Sequence, residues 1–115
     1  MDMKSHEQAD SGPAVLDLRG DPLGEDDASK LKEKVYSLIA SGVKYVILNL
    51  KDVKHINSAG IGGMVCAMTA LRRVGGDIYL ANTQMNVSKI LSITQLNRII
   101  EMYNTTDEAL VRANR

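Results

Sequence analysis

The sequence predicts an α/β sandwich: a four- to five-stranded, mostly parallel (mixed) sheet with about four helices. Two observations carry this. β-rich runs alternate with segments of helical period along the chain at short spacing. One of those runs, YVILNL (45–50), is apolar almost throughout, as a central strand covered on both faces must be. The 115 residues fit one domain, 1–115, with no internal repeat and no low-complexity segment. A domain of this size buries roughly 65% of its unfolded surface, enough for an ordinary core.

The elements follow in order. Met3 to Gln8, within a polar stretch of about a dozen residues that ends in the turn signal DSGP, reads either as a weak edge strand or as a frayed tail. In AVLDLRG (14–20), Leu16 and Leu18 alternate with Asp17 and Arg19, which predicts a half-exposed strand. Gly20-Asp21-Pro22-Leu23-Gly24 breaks the chain. Asp26 or Asp27 then caps a helix whose Ala28, Leu31, Val35, Leu38 and Ile39 recur at helical spacing, and Gly42 closes it. After YVILNL a second helix runs from about Ser58 to Val74 and ends at Gly75-Gly76. DIYLAN (77–82) reads as a strand, Val87 to Ile93 as a short helix and RIIEMY (98–103) as a further strand. Thr105-Thr106-Asp107-Glu108 is a capping-box pattern that opens a last helix.

Composition removes several function classes. Fourteen Lys plus Arg balance fourteen Asp plus Glu, so no general attraction to nucleic acid is expected. Trp and Phe are absent, which argues against stacking platforms for single-stranded nucleic acid. The start, MDMKSHEQAD, lacks a signal-peptide pattern, and no run reaches the roughly 18 apolar residues of a membrane span. A lone cysteine, Cys66, forms no internal disulfide and fits a reducing compartment. These features lead us to expect a cytoplasmic domain without membrane insertion.

The informative stretch is HINSAGIGG (55–63), a single serine ahead of a glycine-rich helix start. A nucleophile elbow needs glycine two positions before the serine, and Ile56 stands there. His55 could approach Ser58 across the turn, but no acid is evidently placed to orient its imidazole. A dinucleotide loop would need a third glycine where Val65 lies, and a Walker loop needs Gly-Lys-Ser/Thr. No cofactor, metal or catalytic residue is therefore expected. Asn57 and Ser58 are both good N-caps, yet a cap does not explain three glycines among the next five residues, each costing about 0.5–1 kcal/mol inside a helix.

A helical wheel puts Ile61, Met64, Val65, Met68 and Leu71 inward and collects Gly62, Gly63, Cys66, Ala67 and Ala70 on the other side. Such a small, uncharged face is covered either by another helix of the chain or by a partner protein. A phosphate on Ser58 would be stabilised by the helix N-terminus and would bring about −1.5 to −2 charges to the edge of that face.

YVILNLKDVKHINSAGIGG resembles the STAS family, and within it the small bacterial anti-sigma factor antagonists: a central strand, then a signature of the form Asp-Ser-[Ser/Thr]-Gly-[Leu/Ile]-Gly. The strand ending in Gly20, the helix with Leu31 and Val35, Asn49-Leu50, Asp52-Val53 and Gly75-Gly76 extend the likeness over nearly the whole chain. The resemblance implies that Ser58 is phosphorylated by a serine kinase that is itself the anti-sigma factor. It further implies that the unmodified form binds that kinase and releases a sigma factor, and that a serine phosphatase resets the cycle. Asn57, Ser58, Ala59, Gly60, Ile61, Gly62, Gly63, Cys66 and Ala67, with Asp21 and Leu23 of the preceding loop, are the expected partner-binding residues, on a monomer or weak homodimer. Asn57 departs from the family's acid, and Ala59 replaces its second hydroxyl, leaving Ser58 as the one acceptor. The loop Asp21-Pro22-Leu23-Gly24 also differs from the usual apolar residue and Asp. A constitutive adaptor of the same fold, a scaffold or an accessory subunit of a lipid-transport complex, is the first alternative; a small enzyme or nucleotide binder using the glycine turn is the second.

Overall fold

The computed structural model of the chain describes residues 2–7, 12–20 and 25–114. The elements are β1 (Asp2–Glu7), β2 (Ala14–Gly20), α1 (Glu25–Ala40), β3 (Tyr45–Val53), α2 (Ser58–Arg73), β4 (Asp77–Ala81), α3 (Met85–Ile93), a 3-10 turn (Leu96–Arg98), β5 (Glu101–Tyr103) and α4 (Thr106–Ala113). All five strands lie side by side in sequence order. β1 pairs antiparallel with β2, and every later pairing is parallel.

This order dictates the layers. Each parallel step moves the same way across the sheet, so right-handed crossovers put α1, α2 and α3 on one face. The core agrees: Leu16, Leu18, Val46, Leu48, Leu50, Ile78 and Leu80 of the strands meet Leu31 and Val35 of α1, Met64 and Leu71 of α2, and Val87 and Leu91 of α3. On the other face Val15, Ile47, Tyr79 and Ala81 meet Ala109 and Ala113 of α4. β3 is thus covered on both sides, the reason its sequence is apolar without alternation. Tyr79 is the large residue of the α4 side: its ring stacks on Tyr45 at 6.3 Å, meets Tyr103 edge-on at 6.0 Å and lies under the Arg112 guanidinium at 5.6 Å.

Several sequence expectations change. The N-terminal stretch is an edge strand, paired from Asp2↔Arg19 to Glu7↔Ala14, while Gln8 lies outside the described residues. α1 already runs from Glu25, so Asp26 and Asp27 sit inside its first turn, where their carboxylates still complement the helix dipole, rather than at its cap. The strand expected over 98–103 is only Glu101–Tyr103. Leu96 and Ile100 are four residues apart, a helical interval; the Ile99 and Ile100 amides both donate to the Leu96 carbonyl at 2.9 Å, and the turn buries the Leu96 and Ile100 side chains. The last helix is capped as expected: the Glu108 amide donates to Thr105 Oγ1 at 3.1 Å, and Glu108 Oε2 accepts from the Asn104 amide at 3.3 Å.

Candidate functional site

The site begins where β3 leaves the sheet. Asp17 pairs with Asn49, but Arg19 pairs with Asp52, so β3 carries one residue more than β2 over this interval. This bulge turns both Lys51 and Asp52 to solvent and returns Val53 to the core. Polar side chains staple it. Asn49, only 7% exposed, donates from Nδ2 to Asp17 Oδ1 at 2.8 Å, while its Oδ1 accepts from the Lys51 amide at 3.3 Å and from Asn82 Nδ2 at 2.9 Å. Gln84 Nε2 donates to the Lys51 carbonyl at 2.5 Å. Asn82 takes positive φ (57°) to reach Asn49, and its Nδ2 also lies 3.3 Å from Thr106 Oγ1 of α4. Sequence reasoning gave no role to Asn82 or Gln84. The readable signal was Asn49, a lone amide in an apolar run, since a buried amide requires partners.

Asn57 rather than Ser58 caps α2. Asn57 is extended (φ −105°, ψ −179°); its Oδ1 accepts from the Gly60 amide at 3.0 Å, and its carbonyl accepts from the Ile61 amide at 3.0 Å. Ser58 therefore stands at the first helical position, exposed, and its hydroxyl makes no hydrogen bond to the described residues. No acidic residue lies in the first turn of α2, and Arg72 and Arg73 occupy its last. The N-terminal end of the dipole is left without a compensating charge on its own helix, a setting that favours an added anion at Ser58.

The small residues behind Ser58 divide into two sets. Gly60, Gly63, Met64, Ala67, Met68 and Leu71 are buried, while Ile61 and Val65 are half-buried at the margin of that stripe. A methyl group added to Gly63 would come 2.7 Å from Cβ and 2.9 Å from Cα of Ala28, so Gly63 is what lets α1 cross α2 closely. Gly63 and Ala67, expected among the partner-binding residues on a face covered either by another helix of the chain or by a partner, are covered within the chain. α2 packs against the sheet and α1 together, which widens its buried arc. Gly62 and Cys66 stay exposed, and a methyl group on Gly62 would meet no atom within 4 Å. From Cys66 an open groove of about 460 Å³ continues between α1 and α2 past Tyr36, Ile39, Thr69 and Val74. Ala59 is half-buried and Gly60 buried. Asp21 and Leu23 lie outside the described residues.

His55 is exposed, with Nε2 3.4 Å from Asn86 Nδ2 at the start of α3. No group of three or more His, Cys, Asp or Glu able to hold a metal ion occurs among the described residues, and none of their helices is long and apolar enough to cross a membrane.

Known proteins share this fold. The profile of the STAS domain matches residues 5–109. A Thermotoga neapolitana homolog of TM1081, described as an anti-sigma factor antagonist, is 34% identical over 97 residues, covering 84% of this chain and 86% of its own length. The anti-sigma-B factor antagonist of Bacillus subtilis is 32% identical over 89 residues, 75% of this chain and 81% of that protein. Among solved structures, the antagonist SpoIIAA in its unphosphorylated form superposes with a TM-score of 0.82 over 98% of this chain and 96% of its own, at 23% identity, which speaks to the fold. The Bacillus protein SpoIIAA in its phosphorylated form superposes at 0.73, with 23% identity over 96% of this chain and 98% of its own. With most of its length matched in sequence and in topology, the chain belongs to the STAS domain family.

Proposed function

We propose that the chain is an anti-sigma factor antagonist controlled at Ser58. In its unphosphorylated form it binds an anti-sigma serine kinase and so releases a sigma factor; phosphorylation of Ser58 ends that binding, and a serine phosphatase restores it. The carrying observation is the division of labour at the start of α2. Asn57 does the capping, so the Ser58 hydroxyl is exposed and uncommitted at a helix N-terminus without acidic residues. A phosphate there is compatible with the fold, since amides and dipole favour it. The same charge pressed against the exposed small surface of Gly62 and Cys66 would lose its water, at a cost of several kcal/mol. At about 1.4 kcal/mol per tenfold in affinity, that converts tight binding into weak binding with no change of fold. The relatives named as anti-sigma factor antagonists support the reading, as does the existence of SpoIIAA in both forms. In it, the protein is a substrate and a ligand, not a catalyst.

Incubation with the cognate kinase and ATP is expected to add one phosphate, mapped to Ser58 by mass spectrometry. Ser58→Ala should accept none and still bind. Phosphate on another residue, or equal binding by the phosphorylated and unmodified proteins, would refute the switch.

Asn57 favours a second reading, a constitutive adaptor of the same fold. It replaces a carboxylate next to the acceptor serine with a neutral amide and so alters what a kinase would meet. Under that reading Ser58 stays unmodified in cells whatever the growth condition.

A further inference from the structure

The bulge in β3 builds a second feature on the same edge of the sheet as Ser58. Arg19, Gly20, Lys51, Asp52, Lys54 and Gln84 line an open cavity of about 340 Å³ at the carboxyl ends of β2 and β3. The chain as a whole carries no net charge, yet three of the six lining residues are cationic against a single carboxylate. Nor is the concentration of charge an accident of loose side chains. One extra residue in β3 turns Lys51 outward beside Asp52, the Asn49 and Gln84 bonds hold its backbone, and the parallel register sets Arg19 next to Asp52. Lys54 then leads through His55, Ile56 and Asn57 to Ser58, and four residues of chain span at most about 14 Å, so the cavity wall lies close to Ser58.

We propose that this basic cavity is the electrostatic half of the docking surface and receives a carboxylate-rich segment of the kinase that binds the Ser58 face. The inference rests on the reading of Ser58 as the switch and deepens it. Asp52 selects the occupant: it repels a compact dianion such as free phosphate more than it repels carboxylates spaced along a peptide. It also accepts hydrogen bonds from the backbone of such a segment. Cations at an interface rim act mainly by steering encounter, so their signature is an association rate that falls with salt. A phosphate on Ser58 adds negative charge beside this cavity and opposes the same acidic segment, so the two halves of the surface respond to one modification.

The test uses the full chain and the purified kinase that labels Ser58, with association followed by biolayer interferometry at low and high NaCl. The double variant Lys51→Glu/Lys54→Glu is expected to raise Kd by at least about tenfold, mostly through a slower association rate, and to flatten its salt dependence. Lys44→Glu, an equally exposed lysine at the opposite end of β3, should change Kd less than about twofold. If charge reversal disturbs folding, as judged by thermal melting, Lys51→Gln/Lys54→Gln removes the charges more gently and should show a smaller shift of the same sign. Ser58 labelling with equal Kd for wild type and cavity variants overturns the cavity proposal alone. Neither labelling nor binding by the wild type overturns the switch and the cavity together.

Discussion

Asn57 and Ser58 divide two tasks that either residue could perform, and the division has consequences that single substitutions can read. Removing the Asn57 amide in Asn57→Ala leaves the Gly60 amide without its acceptor. The expected loss is about 1 kcal/mol, a fall of roughly 3–6 °C in Tm measured by circular dichroism. Asn57→Asp keeps the cap and should hold the wild-type Tm or exceed it slightly, since a carboxylate also complements the helix dipole. Ser58→Ala should leave Tm within about 1 °C of wild type, because the hydroxyl bonds to no described residue, and should abolish phosphate incorporation. That contrast separates a structural serine from an exposed acceptor. Sequence reasoning reached both residues but could not choose the cap, because Asn and Ser have nearly equal preferences there. The choice is a matter of one residue of helix register, which the packing of Ile56 and Met64 into the core settles.

At the scale of elements, α2 shows how one helix carries surface and core glycines side by side. Gly62→Ala places its methyl group in open space, so it should stabilise the protein by about 0.5–1 kcal/mol through the ordinary helix preference for alanine. Gly63→Ala drives a methyl group into Cβ and Cα of Ala28 and should destabilise by about 1–3 kcal/mol as α1 is forced away. Urea denaturation of the two variants gives shifts of opposite sign if α1 crosses α2 as described. Helical period identified α2 and its length to within a residue. It could not assign Gly63 and Ala67, because the wheel treats a helix as facing one neighbour when α2 faces two. RIIEMY misled for a related reason: its β-rich residues are real, but Ile100 is buried with Leu96 in a turn, and only Glu101–Tyr103 pairs with β4. β3 continues past its apolar run to Val53, since the register with β2 sustains pairing across the bulge.

At the scale of the whole molecule, Tyr79 links the sheet to α4 and is 1% exposed between them. Burial pushes its phenol above the ordinary value of 10.0, and the Arg112 guanidinium over the ring opposes part of that rise. A folded-state pKa above the unfolded one favours the neutral phenol in the fold. The associated stability is therefore complete below pH 10 and is lost as pH rises through the folded value. Unfolding free energy should fall above pH 10 in wild type and fall less in Tyr79→Phe, measured by urea denaturation across the alkaline range. What the sequence by itself determined is the alternation of strands and helices, the two-sided burial of β3 and the exposed serine at a helix start. Each of these follows from local period, propensity or capping, which act over a few residues. Only the tertiary structure decided which small residues of α2 reach solvent, and that Arg19, Lys51, Lys54 and Gln84 share one cavity. Those outcomes depend on how closely α1 crosses α2 and on one extra residue in the register of β3 with β2, and neither leaves a periodic mark on the chain.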